Sequence, residues 1–88
     1  MKEVELERQL KVLANRRRLA LLNTLRKRRE ANVTEFSKFI RLSFTATSRH
    51  LTMLERMGFI EKEQRSLNVY YRIASDAPVL LFKMFTQL

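Results

Sequence analysis

The 88-residue chain has no cysteine and no tryptophan, and only one glycine, one proline and one histidine. Each shortage closes off a class of protein. Without cysteine there is no disulfide, no thiolate metal site and no thiol redox sensor. A lone histidine leaves tetrahedral sites for soft metals without ligands, so no metal and no cofactor are expected. A single glycine cannot build a Gly-rich phosphate loop, and no carboxylate pair falls in an evident pocket, so an enzyme is not expected. Scarce Gly and Pro also argue against a linker or a disordered chain. No uninterrupted apolar run approaches the ~18 residues of a membrane span. Met1-Lys2-Glu3-Val4-Glu5 lacks the apolar core of a signal peptide. The expectation is a cytoplasmic protein with no membrane partner, folded as one domain over residues 1–88.

What the chain has in excess is positive charge: 18 Lys and Arg against 9 Asp and Glu, a net +9. A small domain of this balance attracts polyanions, and nucleic acid is the commonest. The charge is concentrated. Residues 11–30, "KVLANRRRLALLNTLRKRRE", carry +7 of the total. Arg26 to Arg29 fall at a helix C-terminus, where the macrodipole favours cations. Arg16, Arg17 and Arg18 fall at a helix N-terminus, where it disfavours them. Either at least one of that trio meets phosphate, or the three are solvated charge or internal ion pairs.

Periodicity predicts a first helix over about 3–14, with Leu6, Leu10, Leu13 and Ala14 on one stripe. Asn15 caps a second helix to about Arg29, on Leu19, Leu22 and Leu25. Asn32 and Glu35 fit a capping box opening a short third helix, with Phe36, Phe39 and Ile40 inward. Ser43 caps a fourth helix, 44–57, whose inner stripe is Thr47, Leu51 and Leu54. Its other face carries Thr45, Ser48, Arg49 and Thr52, short side chains that allow close approach to a surface. Gly58 stands where a helix end favours glycine. A hairpin, 59–73, follows as "FIEKEQ" and "VYYRI" joined by "RSLN", and Asn68 is the residue expected at φ > 0. A last helix, about 76–88, is apolar nearly all round, with Val79, Leu81, Phe82 and Phe85. Such a terminal helix is core or interface. A homodimer contact through it and the first helix (Leu6, Leu10) is the reading favoured.

The order helix, helix, helix, helix, hairpin, helix is that of a winged helix-turn-helix, mainly α with a small β-hairpin. "LKVLANRRRLALL", "LSFTATSRHLTMLERMGFIEKE" and "NVYYRI" resemble the ArsR/SmtB-type winged-helix transcriptional repressors over roughly residues 9–73. The resemblance implies a dimer that puts the fourth helix into the major groove and the wing along the backbone. Thr45, Ala46, Ser48, Arg49 and His50 would then read bases. Arginine is the best single reader of guanine, and a methyl group can touch thymine. Ser43, Arg41, Thr52, Arg65, Asn68, Arg16 and Arg17 would meet the backbone, Arg65 from near the wing tip. His50 has a second reading, as a partly buried side chain bonded within the domain, and a third as a metal ligand. Phe44 either packs back on Phe36 or Ile40 or contacts thymine methyls and sugars.

Several positions depart from the family pattern. The third helix has Val33-Thr34-Glu35, and the last has no histidine and one carboxylate, Asp76, so the family's metal-sensing ligands are missing. The helix-turn-helix turn has Arg41 where glycine is usual. If that backbone is left-handed, Arg costs about 1 kcal/mol over Gly. The function expected is sequence-specific binding of double-stranded DNA by a homodimeric repressor on an inverted repeat. Two alternatives stand beside it: a protein–protein interaction module, which an apolar or acidic fourth-helix face would mark, and a non-specific or architectural nucleic-acid binder. No residue identifies an effector.

Overall fold

Short polar side chains start three of the helices where the sequence expects them. In a computed structural model, which describes residues 2–88, helix α1 is Lys2–Leu13 and helix α2 is Arg16–Arg28. The Asn15 side-chain oxygen accepts from the Arg17 N–H at 2.9 Å and the Arg18 N–H at 3.1 Å. The second helix stops at Arg28 because Arg29 takes φ 73°, outside the right-handed helical region. Glu30–Asn32 then form a short strand, β1, that the sequence reading missed. Asn32 and Glu35 close the capping box reciprocally, each bond 2.9 Å, and open α3 (Val33–Ile40). Ser43 caps α4 (Phe44–Arg56), accepting from the Ala46 N–H at 3.1 Å.

Gly58, at φ 80°, ends α4, and the Phe59 N–H returns to the Leu54 carbonyl at 3.1 Å. The wing is β2 (Ile60–Arg65) and β3 (Asn68–Ile73), antiparallel, with β1 on the far side of β3. Arg65 pairs with Asn68, so only Ser66 and Leu67 make the turn. This corrects the expectation for Asn68. A two-residue hairpin turn needs positive φ at its first position. Ser66 supplies it at 58°, and Asn68 stays in the ladder.

The core joins Leu21, Leu22 and Leu25 of α2, Phe36 of α3, Leu51 and Leu54 of α4, and Phe59 and Ile60 at the wing base. Ala31 brings β1 into it, paired with Tyr71. The last helix, α5, spans Val79–Phe85, shorter than expected. It has two faces. Leu81 and Phe85 close the core, whereas Val79 and Phe82 stand exposed. Leu81 and Phe85 were expected at a dimer interface. They are instead enclosed by their own chain, because a seven-residue helix over an open core end must supply its lid.

Arg41 ends α3 in the left-handed conformation, φ 53° and ψ 54°, with the Leu42 N–H donating to the Ser37 carbonyl at 3.0 Å. Arg41→Gly should therefore raise stability by about 1 kcal/mol. In a domain of this size that is about 4–8 °C in the thermal midpoint followed by circular dichroism. An unchanged or lowered midpoint would mean the turn carries no such strain.

Candidate nucleic-acid interface

α4 turns about 100° per residue, so its buried stripe of Thr47, Leu51 and Leu54 fixes what looks outward. Thr45 and Arg49 are exposed, and Ser48 and Thr52 half-buried beside them. Ser48, Arg49, Thr52, Met53 and Arg56 line one open groove of about 340 Å³. Four of the expected residues thus share one face. Arg56 extends it, exposed and seven positions after Arg49. The sequence reading overlooked Arg56, although the spacing 45, 49, 52, 56 is itself a helical stripe. Ala46 and Met53, three positions before and four after Arg49, border that face, whereas His50 and Met57 lie further round the helix.

His50 looks inward, to α2. The Arg18 Nη1 lies 3.2 Å from its Nδ1 and 3.3 Å from the Met53 sulfur, while the Arg18 Nε–H donates to the Val12 carbonyl. Arg18 is 8% exposed. Of the arginine trio it is the internal member. Arg17 is half-buried, its Nη1 3.5 Å from the Ile40 carbonyl beside the helix-turn-helix turn, and Arg16 is exposed. Burial first, then the charges of Arg18 and Arg17, hold the His50 imidazole below its ordinary pKa.

The turn and the helix start are open. Arg41 and Ser43 are exposed, and Ser43 directs a helix N-terminus outward, a ready position for a phosphate oxygen. Phe44 is 58% exposed. It does not sink onto Phe36, which is already fully enclosed. It lines a narrow cleft of about 130 Å³ with Val33, Thr34, Leu67 and Asn68, between the third helix and the wing tip.

The wing neutralises itself. Arg65 pairs with Glu30 at 2.6 Å and Glu63 at 3.0 Å, and its guanidinium stacks 4.8 Å from the Tyr70 ring centroid. Arg72 pairs with Glu63 at 2.9 Å and Glu61 at 3.0 Å. Lys62 lies 3.6 Å from Glu55. Hydrogen bonds from Arg65 and then Arg72 hold the Glu63 carboxyl below its ordinary range. The Ser75 N–H, then Arg72, does the same for Glu61. Arg65, expected to aim at DNA from near the tip, is turned back along the sheet because β1 brings Glu30 within reach. The apex is Leu67, 95% exposed. Glu63→Gln should free Arg65 and Arg72 from a shared carboxylate. The affinity for a random-sequence duplex should rise, and the log–log salt slope should steepen by up to about one unit, read by fluorescence anisotropy. An unchanged slope would show that neither guanidinium reaches phosphate.

No three His, Cys, Asp or Glu side chains are grouped so that they could hold a metal ion among the described residues. No helix among the described residues is long and apolar enough to cross a membrane. A model of the MarR family matches residues 14–68, which hold the second helix, the helix-turn-helix and the wing turn. The chain is 33% identical over 79 residues to the transcriptional activator HlyU of Vibrio cholerae, covering 90% of this chain and 72% of HlyU. The structure of reduced HlyU superposes with a TM-score of 0.83 at 31% identity, over 99% of this chain and 87% of that one. A homodimeric winged helix-turn-helix DNA-binding domain from Mycobacterium bovis, of a possible ArsR-family transcriptional regulator, gives 0.82 at 30% identity, over 94% and 77%. The transcriptional repressor BigR of Xylella fastidiosa gives 0.83 at 26% identity, over 99% and 86%.

Proposed function

The chain belongs to the MarR family and is a winged-helix transcriptional regulator, and on that premise we propose that it is a homodimeric, ArsR-type repressor reading an inverted repeat in duplex DNA. One observation carries the reading. A helix locked on its inner side offers Thr45, Ser48, Arg49 and Thr52 together on its outer side. That face is polar and basic, where a protein–protein module would present apolar or acidic side chains. Arg49 is the guanine reader, Thr45 and Ser48 contact neighbouring bases, and Ser43, Arg41 and Arg56 hold phosphates. Arg16 adds a backbone contact. Ala46, beside Arg49, stays at the edge of the base-reading set, and His50, bonded to Arg18, leaves it.

The two-fold contact in this proposal is formed by α1 and α5. Leu6 and Leu10, each about half exposed, line a shallow apolar groove of about 370 Å³ along α1. Val79 and Phe82 offer a second apolar face on α5. The homodimeric Mycobacterium domain supports pairing. Two copies would set their reading helices in successive major grooves about 34 Å apart. Occlusion of a promoter is the mode we favour, in line with BigR; HlyU, described as an activator, supports activation as the second reading. The protein would work in the cytoplasm, where its DNA lies.

Selection from random double-stranded DNA at near-physiological salt should enrich an inverted repeat bound by two chains. Failure to enrich any sequence, with binding that vanishes as salt rises, would leave a non-specific polyanion binder. On the enriched duplex, Arg49→Ala should weaken binding by ~1–3 kcal/mol and relax base choice at one position per half-site. An unchanged ratio of specific to random binding would remove α4 as the reader. Leu10→Glu should convert dimer to monomer in sedimentation velocity while leaving the helical spectrum intact. A dimer that survives it would place the contact elsewhere.

A further inference from the structure

The Arg18 guanidinium ties three helices together at one point. It donates to the Val12 carbonyl, one of the orphan carbonyls at the end of α1. Its Nη1 faces His50 Nδ1 and the Met53 sulfur on the flank of α4. Arginine has donors only, so His50 Nδ1 must be the acceptor, and the ring is neutral with its proton on Nε2. We propose that Arg18 and His50 form a proton-sensitive strut that positions the reading helix, so that protonating His50 weakens sequence-specific DNA binding. This rests on the DNA-reading role of α4 proposed above.

Protonation turns the acceptor into a donor. Two donors then face each other across 3.2 Å, and a new cation sits beside Arg18 with Arg17 close by. These two α2 arginines are the charged groups that act on His50. The first helix gives the Val12 carbonyl to Arg18, and its Glu5 and Arg8 line a pocket with Arg56 and Met57 further along α4; Met53, on α4 itself, is neutral. The guanidinium is almost fully enclosed and cannot withdraw into water. Relief therefore comes from moving the His50 flank, and Arg49 is the next residue along the same helix. Burial and the two arginines already favour the neutral ring. The stabilisation is complete above the ordinary histidine pKa and is lost as pH falls through the lowered value of the fold. His50 is the chain's only histidine, so a transition in this range has one side-chain source.

The test begins with nuclear magnetic resonance of the labelled full chain from about pH 8 down to about pH 5, across the histidine range. The His50 ring proton should titrate with a lowered midpoint, and the amides of residues 48–53 should follow it. Anisotropy then compares the selected duplex with a scrambled duplex of equal composition. The ratio of the two affinities should fall as pH drops, approaching tenfold per unit below the midpoint. His50→Gln keeps an acceptor for Arg18 but cannot titrate, so its profile should be flat. Reading-helix amides that ignore the His50 titration would overturn the proposal, as would a His50→Gln profile matching that of the wild type. If selection enriches no sequence, the reading-helix assignment fails, and the amide titration alone decides the strut.

Discussion

Everything the outer face of α4 can do is set by the burial of its inner face. Thr47, Leu51 and Leu54 are fully enclosed, in a core that includes Phe36 and the leucines of α2. Burying a leucine-sized side chain contributes about 1.5–3 kcal/mol, against about 1 kcal/mol for a helix cap. Ser43 therefore decides where the helix starts, and packing decides how it is rotated. The arrangement includes a cost. The Thr47 hydroxyl is buried without a hydrogen-bond partner among the described residues, a penalty of order 1–3 kcal/mol. Its methyl shares the inner stripe with two leucines, and the stripe is continuous only if a side chain of that size fills the position.

The net charge of +9 is less uniform in space than in sequence. Arg18 is withdrawn into the interior, and Arg65 and Arg72 are committed to three carboxylates along the sheet. Arg28 is shared between Glu35 at 3.3 Å and the face of Phe39. The cations left facing outward include Arg16, Arg41, Arg49 and Arg56. They come from the start of α2, the turn and the reading helix. Lys2, Arg8, Lys11, Lys27, Arg29, Lys38 and Lys83 are exposed as well, so the positive field is broad, and in the proposed complex the wing supplies shape more than charge.

The elements with local signals were legible in the sequence: the Asn32–Glu35 box, the Ser43 cap, the Gly58 stop and the hairpin all depend on residues a few positions apart. What escaped depends on distant partners. Glu30-Ala31-Asn32 is too short and polar to read as a strand, and is one only because β3 lies alongside. That same pairing puts Glu30 next to Arg65 and gives an expected DNA contact a carboxylate partner within its own sheet. Of the three arginines in a row, only Arg18 continues the 18, 21, 22, 25 stripe of α2, a spacing the sequence reading did not follow back, and the approach of α1 and α4 then encloses it. The two-sidedness of α5 was hidden because both sides are apolar, so no polarity contrast separated core from surface.

That two-sidedness has a consequence for how occupancy responds to expression. Leu81 and Phe85 complete the core of each chain, while Val79 and Phe82 remain outside it. A single copy therefore keeps its own lid, and in the proposed dimer two already folded surfaces dock. Assembly and folding become separate equilibria. Below the dimer dissociation constant, the concentration of paired species grows with the square of the chain concentration. A small change in synthesis or degradation would then be sharpened into a larger change at the promoter, with no effector required.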